Sequence, residues 1–210
     1  MLTRIKALGL AFVAVAAVSA TMASAAAAGE FTAENFTATV TGTALAKHQF
    51  KFSGGTISCT VASFDGKLAG PAENLTIAAE YGNCSTAGGG AVTINMTGCD
   101  YAFHAGATLE NSRVEGSMEV QCVGGGEGID VEMPGGCTAK ILPQGGLANL
   151  VYTNHPEAKD FDVDFSVGAI VFTQNAACPG GEGVFATGTY GGQSTMTGES
   201  AGGADGLKVD

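Results

Sequence analysis

Three aspartates alternate with apolar residues in the run Asp160-Phe-Asp162-Val-Asp164. Carboxylate oxygens are the ligands that Ca²⁺ takes in proteins, and an EF-hand loop begins with this pattern. Phe165 stands where that loop needs a glycine, however, and Val171 where it needs a glutamate. As a β-strand, the run places the three carboxylates on one face, about 7 Å apart. We expect Asp160, Asp162 and Asp164 either to keep this face solvated or to form a calcium site, and we expect no other cofactor.

The six cysteines are the second group of residues with defined chemistry. An even number of cysteines in an exported chain implies disulfides, and six cysteines allow fifteen pairings. Neither a Cys-x-x-Cys pair nor a Cys/His spacing typical of zinc occurs. The sequence therefore predicts up to three disulfides, with the pairing open. The cysteines are Cys59, Cys84, Cys99, Cys122, Cys137 and Cys178.

Residues that could perform catalysis do not converge in the sequence. His48, His104 and His155 lie in different segments, so neither a catalytic triad nor a metal site can be assembled from them. The run Gly198-Glu-Ser200-Ala-Gly202 matches the nucleophile elbow of serine hydrolases, but no histidine follows it. We expect no catalytic residues and a protein that is not an enzyme.

The N-terminus has the pattern of a secretory signal peptide. Arg4 and Lys6 precede an apolar run that ends near residue 18, and small residues follow it. About twelve apolar residues are too few to span a bilayer, so we predict a signal peptide over residues 1–28, cleaved near Ala25 to Ala28. The expected location is extracellular, cell-surface or periplasmic, with no integral membrane segment after cleavage.

The charge of the chain restricts its partners. Without Arg4 and Lys6 the nine basic residues become seven, against twenty acidic residues. A field of that sign repels phosphate backbones, so nucleic acid is excluded as a partner.

Composition and periodicity indicate an all-β fold. The chain has 33 glycines and no tryptophan, and apolar residues alternate with polar ones along most of the mature segment. We predict about a dozen short antiparallel strands in a disulfide-braced β-sandwich, with a β-barrel as the alternative. One domain is expected over residues 29–199, or two small β domains divided near residues 106–116. Residues 200–210 form a short strand or a flexible tail.

Two segments share one layout, from Cys84 to Cys99 and from Cys122 to Cys137. Each has a cysteine, a glycine-rich turn, an alternating run that ends in Met, and a final Gly-Cys, with fourteen residues between the cysteines. This internal repeat predicts two equivalent β-hairpins. The glycine-rich stretch Cys178-Pro-Gly-Gly-Glu-Gly-Val echoes the same turn.

The second predicted hairpin has a definite register. A turn at residues 124–127 places Cys122 opposite Ile129 and leaves one face of the hairpin apolar. Glu119 then faces Glu132, which is the arrangement that glycosidases use, although tryptophan is absent and the four tyrosines are scattered. We interpret this glutamate pair as a surface feature.

Several segments carry a resemblance to other proteins. The segments Gly55-Thr-Ile-Ser-Cys59, Tyr81-Gly-Asn-Cys84, Met96-Thr-Gly-Cys99-Asp-Tyr and Pro143-Gln-Gly-Gly-Leu147 resemble a group of uncharacterised exported bacterial β-proteins. The resemblance implies an exported β-protein of bacterial type, without an activity or a site.

The hypothesis that these features favour is a non-enzymatic exported β-protein, a structural or interaction module of the cell envelope or the secreted milieu. Its partner is an unidentified protein or envelope component. The alternative is a ligand-binding protein for calcium or a small molecule, with its site on the acidic strand face or in the interior of a barrel.

Overall fold

A computed structural model describes residues 29–53, 55–124 and 126–210. These residues form fifteen β-strands and one 3₁₀ turn (Pro134–Gly136). No helix in this part of the chain is long and apolar enough to cross a membrane. The signal peptide predicted for residues 1–28 lies outside the described residues.

The strands follow one another in chain order. They are β1 (Phe31–Ala33), β2 (Ala38–Ala44), β3 (His48–Phe52), β4 (Gly55–Leu68), β5 (Asn74–Thr86), β6 (Ala91–Asn95), β7 (Cys99–Thr108), β8 (Arg113–Cys122), β9 (Ile129–Glu132), β10 (Thr138–Ile141), β11 (Gln144–His155), β12 (Asp160–Gln174), β13 (Gly183–Ser200), β14 (Gly203–Asp205) and β15 (Leu207–Val209).

Thirteen of these strands form one antiparallel sheet that closes on itself. Each strand pairs with the next in the order β2, β4, β5, β7, β8, β11, β12, β13 and back to β2. The predicted antiparallel all-β fold is therefore confirmed, and the closed pairing is that of the barrel alternative. Alternating side chains explain the closure, because each strand turns its apolar residues inward to one shared core.

The ring has two levels. The long strands β4, β5, β12 and β13 run through both levels. At the first level the ring is completed by β2, β7, β8 and β11. At the second level it is completed by β3, β6, β9 and β10. These four strands that run through both levels have 14, 13, 15 and 18 residues and are longer than the short strands that the sequence predicts.

Strand β13 shows why the sequence predicts strands that are shorter than the observed ones. Gly191-Gly192 has the composition of a turn, yet both residues lie within the strand. A Cβ atom added at Gly192 would lie only 2.6 Å from Nδ1 of His48. Glycine is needed here for the close approach of a buried ring, and not for a turn.

Three disulfides connect the cysteines pairwise in chain order: Cys59–Cys84, Cys99–Cys122 and Cys137–Cys178. The first joins facing positions of β4 and β5, and the second joins facing positions of β7 and β8. The third joins the residue before β10 to the segment between β12 and β13. Neither of the two repeated segments is closed by a disulfide of its own.

The prediction that β8 and β9 form the second hairpin is wrong. Both edges of β8 are occupied by β7 and β11, so β9 pairs instead with β10 and β6 at the other level. Cys122 faces Cys99, and Ile129 faces Ile141. Glu119 faces Ala102 and does not meet Glu132. The first repeated segment does contain a short hairpin, in which Cys84 faces Val92.

The first and last described strands close one end of the ring. β1 and β15 form a two-stranded antiparallel sheet. Phe31 of β1 is fully buried, and its ring contacts those of Tyr152 and Phe161 with centroids 5.3 and 6.1 Å apart. The core therefore continues beneath this small sheet.

Candidate functional site

The three aspartates of the acidic row lie on the outer side of β12, as the alternation predicts. Phe161, Val163 and Phe165 point into the core between them. Asp164 is exposed, whereas the side chains of Asp160 and Asp162 are only 17% and 15% exposed.

The imidazole of His155 on β11 lies between the carboxylates of the two less exposed aspartates, Asp160 and Asp162. Its Nδ1 lies 2.8 Å from Oδ1 of Asp160, and its Nε2 lies 3.6 Å from Oδ2 of Asp162. Thr195 on β13 also donates to Oδ1 of Asp162, at 2.6 Å. In the described part of the chain, no three His, Cys, Asp or Glu side chains are grouped so that they could hold a metal ion.

A cleft of about 480 Å³ opens beside this histidine, between the β1–β15 sheet and the β11–β12 turn; we call it the terminal cleft. Its charged side chains are paired among themselves: Lys159 with Glu34 at 2.9 Å, Lys208 with Asp210, and His155 with Asp160. Ser112 and Thr108 also line the cleft.

This cleft does not assemble a catalytic triad. A nucleophilic hydroxyl needs a histidine nitrogen within hydrogen-bond distance to accept its proton. Each ring nitrogen of His155 faces a carboxylate, and no hydrogen bond joins the ring to Ser112 or Thr108. The cleft therefore provides paired charges and an apolar wall.

A second polar group lies inside the ring of strands. His48 is fully buried, with Nδ1 2.6 Å from the hydroxyl of Tyr190 and Nε2 3.0 Å from Oγ of Ser194. The Tyr190 hydroxyl lies 2.8 Å from that of Tyr81, which donates to Tyr101 at 3.2 Å. Five side chains thus form one hydrogen-bonded chain across the core, which we call the core network.

Burial sets the protonation of the core network. Desolvation lowers the pKa of His48 to about 4, although a backbone hydrogen bond with Gln193 opposes the shift. Desolvation also raises the pKa of Tyr101 to about 12 and those of Tyr81 and Tyr190 well above their ordinary value. At neutral pH all of these groups are uncharged.

The core network does not follow from the spacing of its histidine and tyrosines, which lie in separate segments of the sequence. A signal was present: in His48-Gln-Phe50-Lys-Phe52, the histidine shares the alternating face of two phenylalanines. That pattern places its ring inside the sheet, where a polar group needs polar partners.

The other candidates do not join either site. His104 on β7 contacts Asn74 through Nδ1 and lies 3.5 Å from Glu119. Ser200 ends β13 and faces Gly203 across a turn to another strand, so the strand-turn-helix context of a nucleophile elbow is absent there.

The outer wall of the ring contains an opening on one side of β5. Cys84 pairs with Val92 of β6, and Ile77 pairs with Tyr101 of β7. Between these points, none of the described strands pairs with this side of residues 78–83, and the strand residues of the facing segment 93–100 pair instead with β9 and β8. The resulting groove measures about 570 Å³, and we call it the β5 gap.

The β5 gap has charges of one sign only. Its charged lining residues are Glu80 and Asp100, and neither forms an ion pair with a described residue. Ala78, Ile94 and Met96 supply an apolar wall.

A comparable interruption occurs on β12, where the chain passes from β10 to β11; we call it the β12 gap. β12 pairs with β11 as far as Phe165 and with β10 from Phe172 onward. At one end of this interval the side-chain amide of Gln144 bonds to Val171: its Nε2 donates to the Val171 carbonyl at 2.9 Å and its Oε1 accepts from the Val171 amide at 2.8 Å. The Leu142 N–H donates to the same carbonyl at 3.2 Å. One side chain thus pairs with both backbone groups of Val171, as a neighbouring strand would.

Comparison with known proteins gives no relative, since no protein-family model, curated protein or solved structure matches the chain. The function therefore has to be argued from these sites.

Proposed function

We propose that this protein is a non-enzymatic exported interaction module, which acts in the cell envelope or the secreted milieu by binding a partner on its outer surface. One observation carries the proposal: the polar groups of chemical interest are paired or buried, whereas the β5 gap holds unpaired groups that face outward.

The state of the histidines supports a non-enzymatic role. His48 is enclosed by the core network, where substrate has no access. His155 is held between two carboxylates. A general base must reach the proton that it removes, whereas His48 is closed to solvent and each ring nitrogen of His155 faces a carboxylate.

The packing of the interior directs binding to the outside. A cavity of about 10 Å³ lies among core side chains that include Phe50, Tyr101 and Tyr190. That volume is about the minimum for one water molecule, whereas ligand pockets measure about 300–1,000 Å³.

Three disulfides suit an exported module, because they form and persist in oxidising compartments. They also hold the outer wall in one conformation. A preorganised surface loses less entropy when a partner binds, which favours recognition over catalysis by moving parts.

Site-specific photocrosslinking tests the proposal in cells that export the protein. A photoreactive residue is placed at Thr97 in the β5 gap, at Ser112 in the terminal cleft, or at Ser63 on the outside of β4 as a control. We expect one defined crosslinked product from a single opening and none from Ser63. Equal products from all three positions, or none from any, would contradict an interaction function.

The alternative function is calcium binding on the outer side of β12. Its support is the placement of Asp160, Asp162 and Asp164 on one face, but His155 and Thr195 already occupy oxygens of the first two. Calorimetric titration with CaCl₂ tests it. Heat that is present in the native chain and lost in Asp162→Asn and Asp164→Asn would support the site, and no heat in any of them would exclude it.

A further inference from the structure

The β5 gap exposes the backbone of a strand in the middle of a sheet. Alternate residues of a strand direct both N–H and C=O toward the same edge, so an unpaired edge offers donors and acceptors to a new backbone. Residues 78–83 have this unpaired edge among the described strands, with paired strand at both ends of the opening.

The side chains of the β5 gap define the charge of its occupant. Glu80 and Asp100 line the opening without a cationic partner, and no lysine or arginine lines it. The whole chain has a formal net charge of −11, which attracts a cationic partner and repels a second copy of the protein.

The apolar wall matches a long side chain with a charged tip. Met96 and Ala78 line the same groove as the two carboxylates. Lysine and arginine place their methylene groups on apolar surface and their charged ends in polar surroundings. Arginine fits better than lysine, because its planar guanidinium presents five donors and binds carboxylates in a bidentate manner.

Disulfides hold both ends of the opening. Cys84 faces Val92 where β5 meets β6, and its disulfide fastens β5 to β4. Cys99 lines the gap itself, and its disulfide fastens β7 to β8. These crosslinks keep the opening from closing by a shift of the strands around it.

From these observations we infer that the β5 gap binds an extended segment of a partner polypeptide through an arginine side chain, whose guanidinium contacts Glu80 and Asp100. The inference deepens the interaction function proposed above and rests on it. The backbone of the bound segment bonds to the free edge of β5, as in other cases of strand addition.

The test uses the disulfide-bonded mature protein and a fluorescent peptide, Thr-Val-Arg-Val-Thr, with blocked ends. Fluorescence anisotropy measures its affinity. The matched peptides carry lysine or citrulline in place of arginine; citrulline keeps the shape and removes the charge. We expect binding in the order arginine, lysine, citrulline, and amide NMR shifts confined to residues 78–81 and 93–100.

Variants locate the binding. Glu80→Gln and Asp100→Asn should each weaken binding of the arginine peptide about tenfold, since each removes a charge-assisted hydrogen bond. Glu115→Gln removes an exposed carboxylate of β8 and is the control for general attraction to an acidic protein. Unchanged melting temperatures show that the variants are folded.

Three outcomes would overturn the inference: no binding of the arginine peptide, equal binding of the citrulline peptide, or an equal loss of affinity in Glu115→Gln. Crosslinking from Ser112 alone would leave the interaction function standing while this inference fails. Crosslinking from neither opening would contradict both the interaction function and the inference about arginine.

Discussion

The β12 gap and the β5 gap are interruptions of the same kind in one sheet, but they are resolved differently. At the β12 gap, the Gln144 amide bonds to both backbone groups of Val171. At the β5 gap, no side chain of the facing segment 93–100 bonds to the backbone of residues 78–83, and disulfides of Cys84 and Cys99 hold the surroundings instead. The two gaps thus differ in whether a side chain takes the place of a neighbouring strand, and the free edge of β5 is a separate feature of this surface.

The largest effects should come from the disulfides. Replacing Cys137 and Cys178 together by alanine should lower the free energy of unfolding by about 4 kcal/mol, because the crosslink closes the longest loop, with a sequence separation of 41. Replacing Cys99 and Cys122, with a separation of 23, should cost about 3 kcal/mol and also weaken peptide binding at the β5 gap. Urea unfolding and anisotropy measure the two effects. Equal peptide affinity in both double variants would mean that the crosslink beside the gap does not shape it.

Acid should act on the core network, which reaches the β5 gap through Tyr81 and does not reach the β12 gap. The pKa of His48 is about 4 in the folded protein, against an ordinary value of 6.5, so the unfolded state binds its proton first. The contribution of neutral His48 is complete above pH 6.5 and is lost as the pH falls toward 4, by roughly 3 kcal/mol in total.

Urea unfolding at several pH values, compared with His48→Gln, isolates this contribution from that of the carboxylates. The difference in pH dependence between the two proteins should lie between pH 6.5 and 4. Parallel curves would show that His48 does not control acid stability.

Gln144→Leu should open the β12 gap. The change removes the bonds of Gln144 to Val171 and to the Leu142 carbonyl. It leaves the partly buried Val171 N–H without its partner, whereas the Val171 carbonyl keeps its bond from the Leu142 N–H, so we expect a loss of about 2–3 kcal/mol. Thr93→Ala, in the wall of the β5 gap, is the matched control and should cost about 0.5 kcal/mol or less. Similar losses in the free energy of unfolding of the two variants would show that the β12 gap is not closed by Gln144 any more than the β5 gap is by its own lining.

Tyr81→Phe should have the smallest effect. Its hydroxyl connects Tyr190 to Tyr101, and its loss should cost about 1 kcal/mol. A double-mutant cycle with Tyr190→Phe measures the coupling. Additive losses would show that the two hydroxyls act independently, and that the core network does not support the wall of the β5 gap.

Much of the fold follows from alternation in the sequence. Period-two patterns identify which side chains point inward: Val120 and Val131, which share the apolar faces of Cys122 and Ile129 by alternation, are both buried. They do not identify which strand lies alongside. All inward faces line one core, so the Cys122 side chain would point into that core whether it lay opposite Ile129 or opposite Cys99. Only the order of strands in the closed ring places it opposite Cys99.

The candidate sites were less predictable for a related reason. The outer placement of Asp160, Asp162 and Asp164 depends on one strand, so local spacing is enough. The β5 gap depends on how β6 and β7 succeed each other beside β5, and the core network depends on residues up to 146 positions apart. A local sequence pattern does not predict contacts between residues so far apart in the chain.

The connectivity of the disulfides has a consequence for how the protein matures. Each cysteine is joined to its nearest unpaired neighbour in chain order, and the three loops do not overlap. A chain that enters an oxidising compartment from its N-terminus presents the members of each pair one after the other. Oxidation in order of arrival therefore gives the native connectivity directly, and maturation needs a thiol oxidant but no disulfide isomerase.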